Sequence, residues 1–187
     1  MSSKFLTWLL RHKLEGDVDE AGWIDIEKLI NICKDDFQRT ISRDDISNIV
    51  LECKKRRFQI SDDGLKIRAT QGHSIKGVKT ECLLKPFIKI DDRPVYHATF
   101  KSHLDAILKD GLKPMTRNHV HFSQNESMLR KEANVWIELD DEKWIADGNS
   151  IYISNNEVIL IDTIVDLKYF RSVIFKGKIK IPNSAFE

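Results

Sequence analysis

Apolar positions in the first seventy residues repeat at helical spacing and then switch to alternation. Over residues 3–14, Phe5, Leu6, Leu9, Leu10 and Leu14 predict an amphipathic helix. Asp25 precedes a second run, Ile26, Leu29, Ile30 and Cys33, and its carboxylate is suited to accept the amides that a helix start leaves unpaired. Ser42, followed three positions later by Asp45, predicts a capping box for a third helix carrying Ile46, Ile49, Val50 and Cys53. From Arg57 the period falls to two. Arg57-Phe58-Gln59-Ile60 and Leu65-Lys66-Ile67-Arg68 alternate around Asp63-Gly64, a hairpin signal. Three helices followed by a two-stranded wing predict a winged-helix-like lobe over residues 1–75.

Residues 76–92, rich in Lys and without helical period, read as a connector. From Val95 onward short strands dominate, at 95–99, 119–123, 135–139, 150–154, 158–161 and 173–181. One helix, 102–109, buries Leu104, Ile107 and Leu108 and stops at Gly111, a natural C-terminal cap. Strands this short, with few helices between them, predict an α+β chain whose second lobe, 93–187, is mostly antiparallel.

Composition adds limits. At 187 residues there is room for one large domain or two small lobes. Thirty Lys and Arg against 29 acids leave a net charge of +1, so any nucleic-acid surface must be a local basic patch. No apolar run approaches the roughly 18 residues that span a bilayer, and Met1-Ser2-Ser3-Lys4 is not followed by a signal-peptide core. Cys33, Cys53 and Cys82 are odd in number and without a Cys-x-x-Cys pair, which predicts reduced, mostly buried thiols in a cytoplasmic protein.

Several polar groups carry potential chemistry. Arg11 and His12 turn away from the Leu6, Leu9 and Leu10 face, as a solvated helix end or as a cation and imidazole aimed at an anion. On the wing, Lys66 and Arg68 should face opposite to Leu65 and Ile67. Thr70-Gln71-Gly72-His73-Ser74 then leaves the strand with the makings of a pocket edge. Further on, His119 and His121 share one face of a strand whose Val120 and Phe122 point into the core. With His97 they are compatible with a three-histidine metal site, with hydrogen bonds to a ligand, or with a polar sheet face. Neither G-x-x-x-x-G-K-[ST] nor G-x-G-x-x-G is present, so a bound nucleotide would not use either phosphate loop.

Taken in order, these segments resemble the RNA 2′-phosphotransferase family, known in its eukaryotic form as the tRNA-splicing 2′-phosphotransferase. The matching blocks are Ser3-Lys4 through Leu10-Arg11-His12, Asp19-Glu20-Ala21-Gly22-Trp23, Lys55-Arg56-Arg57-Phe58 and Ile67-Arg68-Ala69-Thr70-Gln71-Gly72-His73-Ser74. They continue with Tyr96-His97-Ala98-Thr99, Gly111-Leu112, Met115 to Ser123 and Asn156-Glu157-Val158. Arg-Ala-x-Gln-Gly-His-Ser is highly specific, whereas Leu-Arg-His alone means little.

The resemblance implies a winged-helix RNA lobe joined to an ADP-ribosyltransferase-like lobe that binds NAD as a co-substrate, with no metal. It also implies two steps. The RNA 2′-phosphate attacks C1″ of NAD and nicotinamide leaves; the ribose 2″-hydroxyl then attacks that phosphate, freeing the RNA 2′-hydroxyl and ADP-ribose 1″,2″-cyclic phosphate. Arg11, His12, Arg68 and Arg130 match the family's Arg-His-Arg-Arg set, associated mainly with the second step. His97, Thr99, Arg117, His119, His121 and Ser123 would line the NAD site. Lys55, Arg57, Gln71, His73 and Ser74 would contact RNA or its phosphate. The expected partner is an RNA with an internal 2′-phosphate, with tRNA as the family expectation, and the expected state is a monomer. The chain departs from the family pattern at Ala98, where glycine is usual, and at Arg130-Lys131-Glu132, where glycine is expected in the third place. The rival readings are an ADP-ribosyltransferase acting on nucleic-acid phosphate ends, a winged-helix nucleic-acid-binding regulator, and a metal-dependent enzyme built on His97, His119 and His121.

Overall fold

Ser2 opens the chain's first helix, its hydroxyl accepting the Phe5 amide at 3.3 Å in the computed structural model, which describes residues 2–176 and 179–182. The helix, α1 (Ser3–His12), buries Leu6, Leu9 and Leu10 completely. A two-residue strand, β1 (Ile24–Asp25), leads into α2 (Ile26–Asp35), where the Asp25 carboxylate accepts the amides of Glu27 and Lys28. At α3 (Arg43–Leu51) the capping box is complete: Ser42 Oγ accepts the Asp45 amide and Asp45 accepts the Ser42 amide. Each such cap contributes about 1 kcal/mol. β2 (Phe58–Ile60) and β3 (Lys66–Ala69) form the expected antiparallel hairpin, turning through Gly64 at φ +71°.

The sheet of this unit differs from expectation in two respects. It has three strands, because β1 pairs with β3 and makes it the centre of the order β1-β3-β2. And β3 does not alternate simply. Leu65 precedes the strand and is 51% exposed, while Ile67, Arg68 and Ala69 are all buried, so Arg68 does not lie on a solvent face.

The chain divides into two compact units, Met1–Leu84 and Lys85–Glu187. The boundary falls within the stretch read from sequence as a connector. Ahead of that boundary the stretch carries a short helix, α4 (Thr80–Leu83), with Val78, Leu83 and Leu84 buried.

The second unit is built from β4 (Lys85–Pro86), β5 (Val95–Thr99), α5 (Lys101–Asp110), β6 (Val120–Phe122), β7 (Val135–Leu139), α6 (Asp141–Ala146), β8 (Tyr152–Ile153), β9 (Ile159–Ile161), β10 (Phe170–Phe175) and β11 (Ile179–Pro182). Two antiparallel four-stranded sheets result, ordered β11-β10-β7-β5 and β4-β8-β9-β6. Val95, Phe122, Val135, Ile137, Trp144, Ile161 and Phe170 belong to a single core. The chain is therefore α+β, as the pattern predicts. The segment 173–181, read as one strand, is instead an antiparallel hairpin of β10 and β11, with residues 177–178 outside the described residues. At the end of α5, Gly111 has φ +76°, and a Cβ there would lie 2.6 Å from the Val165 carbonyl oxygen. Only glycine fits this cap.

The thiols differ from expectation: Cys33 is buried, Cys53 half-buried and Cys82 exposed, all three unbridged. No described helix is long and apolar enough to cross a membrane.

Candidate functional site

In the first unit, the end of α1 meets the chain leaving β3. The Ser74 amide donates to the Arg11 carbonyl at 2.9 Å, and Ser74 Oγ lies 2.9 Å from His12 Nδ1. A hydroxyl can donate to Nδ1 or accept from it. Ser74 therefore keeps this contact whichever neutral tautomer His12 adopts.

Contrary to the helix-wheel reading, Arg11 is 7% exposed. The turn at Gly72 covers it: a Cβ on Gly72 would sit 3.0 Å from Arg11 Cζ, so the guanidinium lies directly on the bare Cα. Gly72 has φ +86°, which lets the chain turn there without strain. Gly22 gives similar clearance to the fully buried His73, whose Nε2 would lie 3.0 Å from an added Cβ.

Arg68 is fixed from three sides. Its Nε and Nη2 both donate to Gln59 Oε1, at 3.0 and 2.8 Å, its Nη1 donates to the Ala21 carbonyl at 3.2 Å, and its guanidinium lies over the Trp23 ring at 4.4 Å. These bonds use three of the side chain's five N–H groups and leave one on each Nη. Burial lowers its pKa and the Asp19 carboxylate opposes that shift. The group nevertheless remains a cation. Gln59 was not singled out from the sequence, although the hairpin register that places it opposite Arg68 follows from the Asp63-Gly64 turn. Gln71 is buried beside this cluster in sequence. Lys55 and Arg57 lie on the lead-in to β2, where the Arg57 carbonyl accepts the Thr70 amide at 3.0 Å. The basic run thus reaches the strand end from which Gln71 to Ser74 depart.

In the second unit, an isolated bridge, Tyr96 with Ser123, joins β5 to the end of β6 through amide–carbonyl bonds of 3.0 and 2.9 Å. Beyond it β5 and β6 belong to different sheets, and side chains bridge the seam. His97 Nδ1 donates to the His121 carbonyl at 2.9 Å, and His121 Nδ1 donates to the His119 carbonyl at 3.0 Å. Carbonyls can only accept, so Nδ1 carries the proton on both rings. Burial lowers the His97 pKa, the hydrogen bond to the His121 carbonyl opposes this, and Arg130 lowers it further. Neutral His97 therefore presents Nε2 as an acceptor. Burial also lowers the pKa of His119, against the Asp162 carboxylate. Among the described residues no group of three His, Cys, Asp or Glu is arranged to hold a metal ion, the three histidines included.

Arg117 and Arg130 come near enough that Arg130, after desolvation, helps to lower the Arg117 pKa. Arg130 also lies 5.4 Å from the Phe100 ring centroid. The turn after it closes from the Ala133 amide to the Arg130 carbonyl at 3.1 Å, and Glu132 is not among the residues with positive φ. The missing glycine thus imposes no backbone strain. Ala98 sits regularly in β5, opposite Trp136. Thr99 is buried at the end of β5. The Ser123 hydroxyl donates to the Asn125 carbonyl at 3.1 Å, leaving it only acceptor capacity. Since Ile159 pairs with Phe122, the β8–β9 turn lies at the Ser123 end of β6. There Ser154 Oγ donates to Asn156 Oδ1 at 2.8 Å, and Glu157 takes φ +65°. Ser154 carried no motif signal; only its position before Asn156-Glu157 could have marked it.

A family model described as RNA 2′-phosphotransferase, Tpt1 / KptA family, matches residues 1–163. Among similar chains is a probable RNA 2′-phosphotransferase of Rhodopirellula baltica, 34% identical over 171 residues that cover 87% of this chain and 90% of that one. Another, of Acaryochloris marina, is 35% identical over 179 residues, covering 91% and 95%. A third, of Pectobacterium carotovorum, is 38% identical over 128 residues, or 67% of this chain. The family match spans both units and every block that carries a candidate side chain, and the chain belongs to the RNA 2′-phosphotransferase family.

Proposed function

We propose that the chain is an NAD-dependent RNA 2′-phosphotransferase, with residues 1–75 an RNA-binding winged-helix-like lobe and residues 93–187 an ADP-ribosyltransferase-like NAD lobe. The observation that carries the reading is the covered pair at the end of α1: buried Arg11 beside a His12 held by Ser74, with Arg68 clamped on the adjoining strand. Two guanidinium groups held in place beside an imidazole suit a phosphate, whose oxygens accept their planar N–H forks.

NAD is a substrate, consumed in the first step. A 2′-phosphate oxygen bonds to C1″ as the bond to nicotinamide breaks. In the second step the 2″-hydroxyl oxygen bonds to phosphorus, the bond from phosphorus to the RNA 2′-oxygen breaks, and that oxygen takes a proton. Arg11 and Arg68 hold the phosphate oxygens and stabilise their charge; Arg130 is the further cation that the family resemblance assigns to this step. His12 moves the proton. Gln71, His73 and Ser74 shape the phosphate end of the RNA site, and Lys55 and Arg57 meet its backbone. His97, with neutral Nε2, together with Thr99, Arg117, His119, His121 and Ser123, orients NAD.

The direct test supplies NAD and an RNA bearing one internal 2′-phosphate, with EDTA present. Expected products are 2′-hydroxyl RNA, nicotinamide and ADP-ribose 1″,2″-cyclic phosphate. Inorganic phosphate as product, or inhibition by the chelator, overturns the reading. A stable ADP-ribosylated RNA from the unaltered protein would instead identify an ADP-ribosyltransferase.

His97→Ala and His121→Ala are expected to slow the first step. Single-turnover release of nicotinamide should fall by about 10²-fold, in line with a lost orienting contact, and no ADP-ribosylated RNA should build up. Accumulation of that species in either variant would place these histidines in the second step.

A further inference from the structure

Phe5, Trp8 and His12 stand at i, i+3 and i+7 of α1, one stripe along a single face. The Phe5 and Trp8 ring centroids are 5.7 Å apart, and Phe37, just beyond α2, meets Phe5 edge-on at 5.5 Å and Trp8 at 5.7 Å. Trp8 is 38% exposed, so the trio is not a closed core. Two cations frame it: Lys13 Nζ lies 5.2 Å from the Trp8 centroid and Arg39 Cζ 4.3 Å from that of Phe5. The stripe ends one helical turn later, roughly 5.4 Å along the axis, at the imidazole bonded to Ser74.

We propose that this aromatic stripe is a stacking platform for single-stranded RNA, receiving a base next to the nucleotide whose 2′-phosphate is held at Arg11, His12 and Arg68. The assignment rests on the RNA-binding reading of this unit. Three observations favour it. The platform is continuous with His12 along one helix face. Its rings are flanked by cations, the combination that binds single strands through base stacking and backbone attraction. And Asp35 and Asp36 immediately precede Phe37, so that edge suits bases and disfavours phosphates. A duplex would keep its bases stacked on one another and could not use exposed rings in this way; recognition by stacking selects splayed, single-stranded nucleotides.

Binding and turnover test the platform separately. Affinity is measured without NAD, for a single-stranded oligonucleotide with one internal 2′-phosphate and for a nucleoside 2′-phosphate, which carries the same group and no neighbouring base. Trp8→Ala should weaken the oligonucleotide roughly 5- to 100-fold, the range for losing one stacked base, and leave the nucleoside 2′-phosphate unchanged. Trp8→Phe should restore most of the affinity. In turnover, Trp8→Ala should raise the KM for the oligonucleotide and leave the KM for NAD unaltered. Equal losses for both ligands would show that Trp8 only supports α1, and the platform assignment would fall; so would unchanged binding of both. Failure of the reading on which it rests shows itself differently, as an unaltered protein that does not consume NAD with the oligonucleotide, while the binding comparison still decides the platform.

Discussion

Arg68→Ala and His12→Ala are expected to convert the protein into one that stops half-way, accumulating RNA-2′-phospho-ADP-ribose. In the proposed reaction the first step breaks a glycosidic bond to nicotinamide, a leaving group already cationic in NAD, and needs little help from groups that bind phosphate. The second must expel an RNA oxygen from phosphorus, with charge building on the equatorial oxygens. Removing one preorganised donor at such a point costs about 10²–10³ in rate, and a general acid or base contributes about 10²–10⁴. Arg68 suits the first role because Gln59, Ala21 and Trp23 fix its plane before the substrate arrives, so no reorganisation accompanies the reaction. His12 suits the second because Ser74 holds Nδ1 in either tautomer. With losses of this size confined to step two, step one becomes the faster, and the branched intermediate should appear as a slower band on a denaturing gel. Near-normal turnover would return both residues to purely structural roles, and uniform slowing without intermediate would make them substrate-binding groups.

Local signals in the sequence survived wherever the physics was local. Asp25, the Ser42–Asp45 box, the Asp63-Gly64 hairpin and Gly111 each act within a few residues, and each is found where the chain predicts it. β5 and β7 matched to the residue, because five alternating positions define a strand well. Tertiary covering was invisible. A helix wheel treats α1 as isolated and turns Arg11 to solvent, whereas the Gly72 turn, far along the chain, closes over it. β1 is two residues long, too short to show any period, yet it makes β3 a central strand and helps bury Arg68. Likewise α6 presents one buried aromatic, Trp144, beside a substantially exposed Ile145, and leaves no helical stripe to read. The histidine pair on β6 could be placed on one face from sequence, but the use of both Nδ1 protons depends on a seam between two sheets.

Gly72→Ala should damage activity far beyond its effect on stability, and Gly64→Ala provides the control. Both glycines have left-handed φ, +86° and +71°, so an alanine at either strains the backbone by roughly 1–2 kcal/mol. Their surroundings differ. An added Cβ at Gly64 meets nothing within 4 Å, whereas at Gly72 it would lie 3.0 Å from Arg11 Cζ, 3.1 Å from Nη1 and 3.2 Å from Nε. The guanidinium would have to move by a few tenths of an ångström or swing away. Arg11 is buried, so its freedom to adjust is small. Displacements of about 1 Å in a positioning group cost on the order of 10²-fold in rate, so the second step should slow by roughly 10- to 100-fold. Thermal melts of the two variants should show comparable losses of stability, and single-turnover assays should show Gly72→Ala alone building up ADP-ribosylated RNA. Equal specific activity of the two folded variants would mean that the Gly72 turn only shapes the chain and that Arg11 does not act on the phosphate.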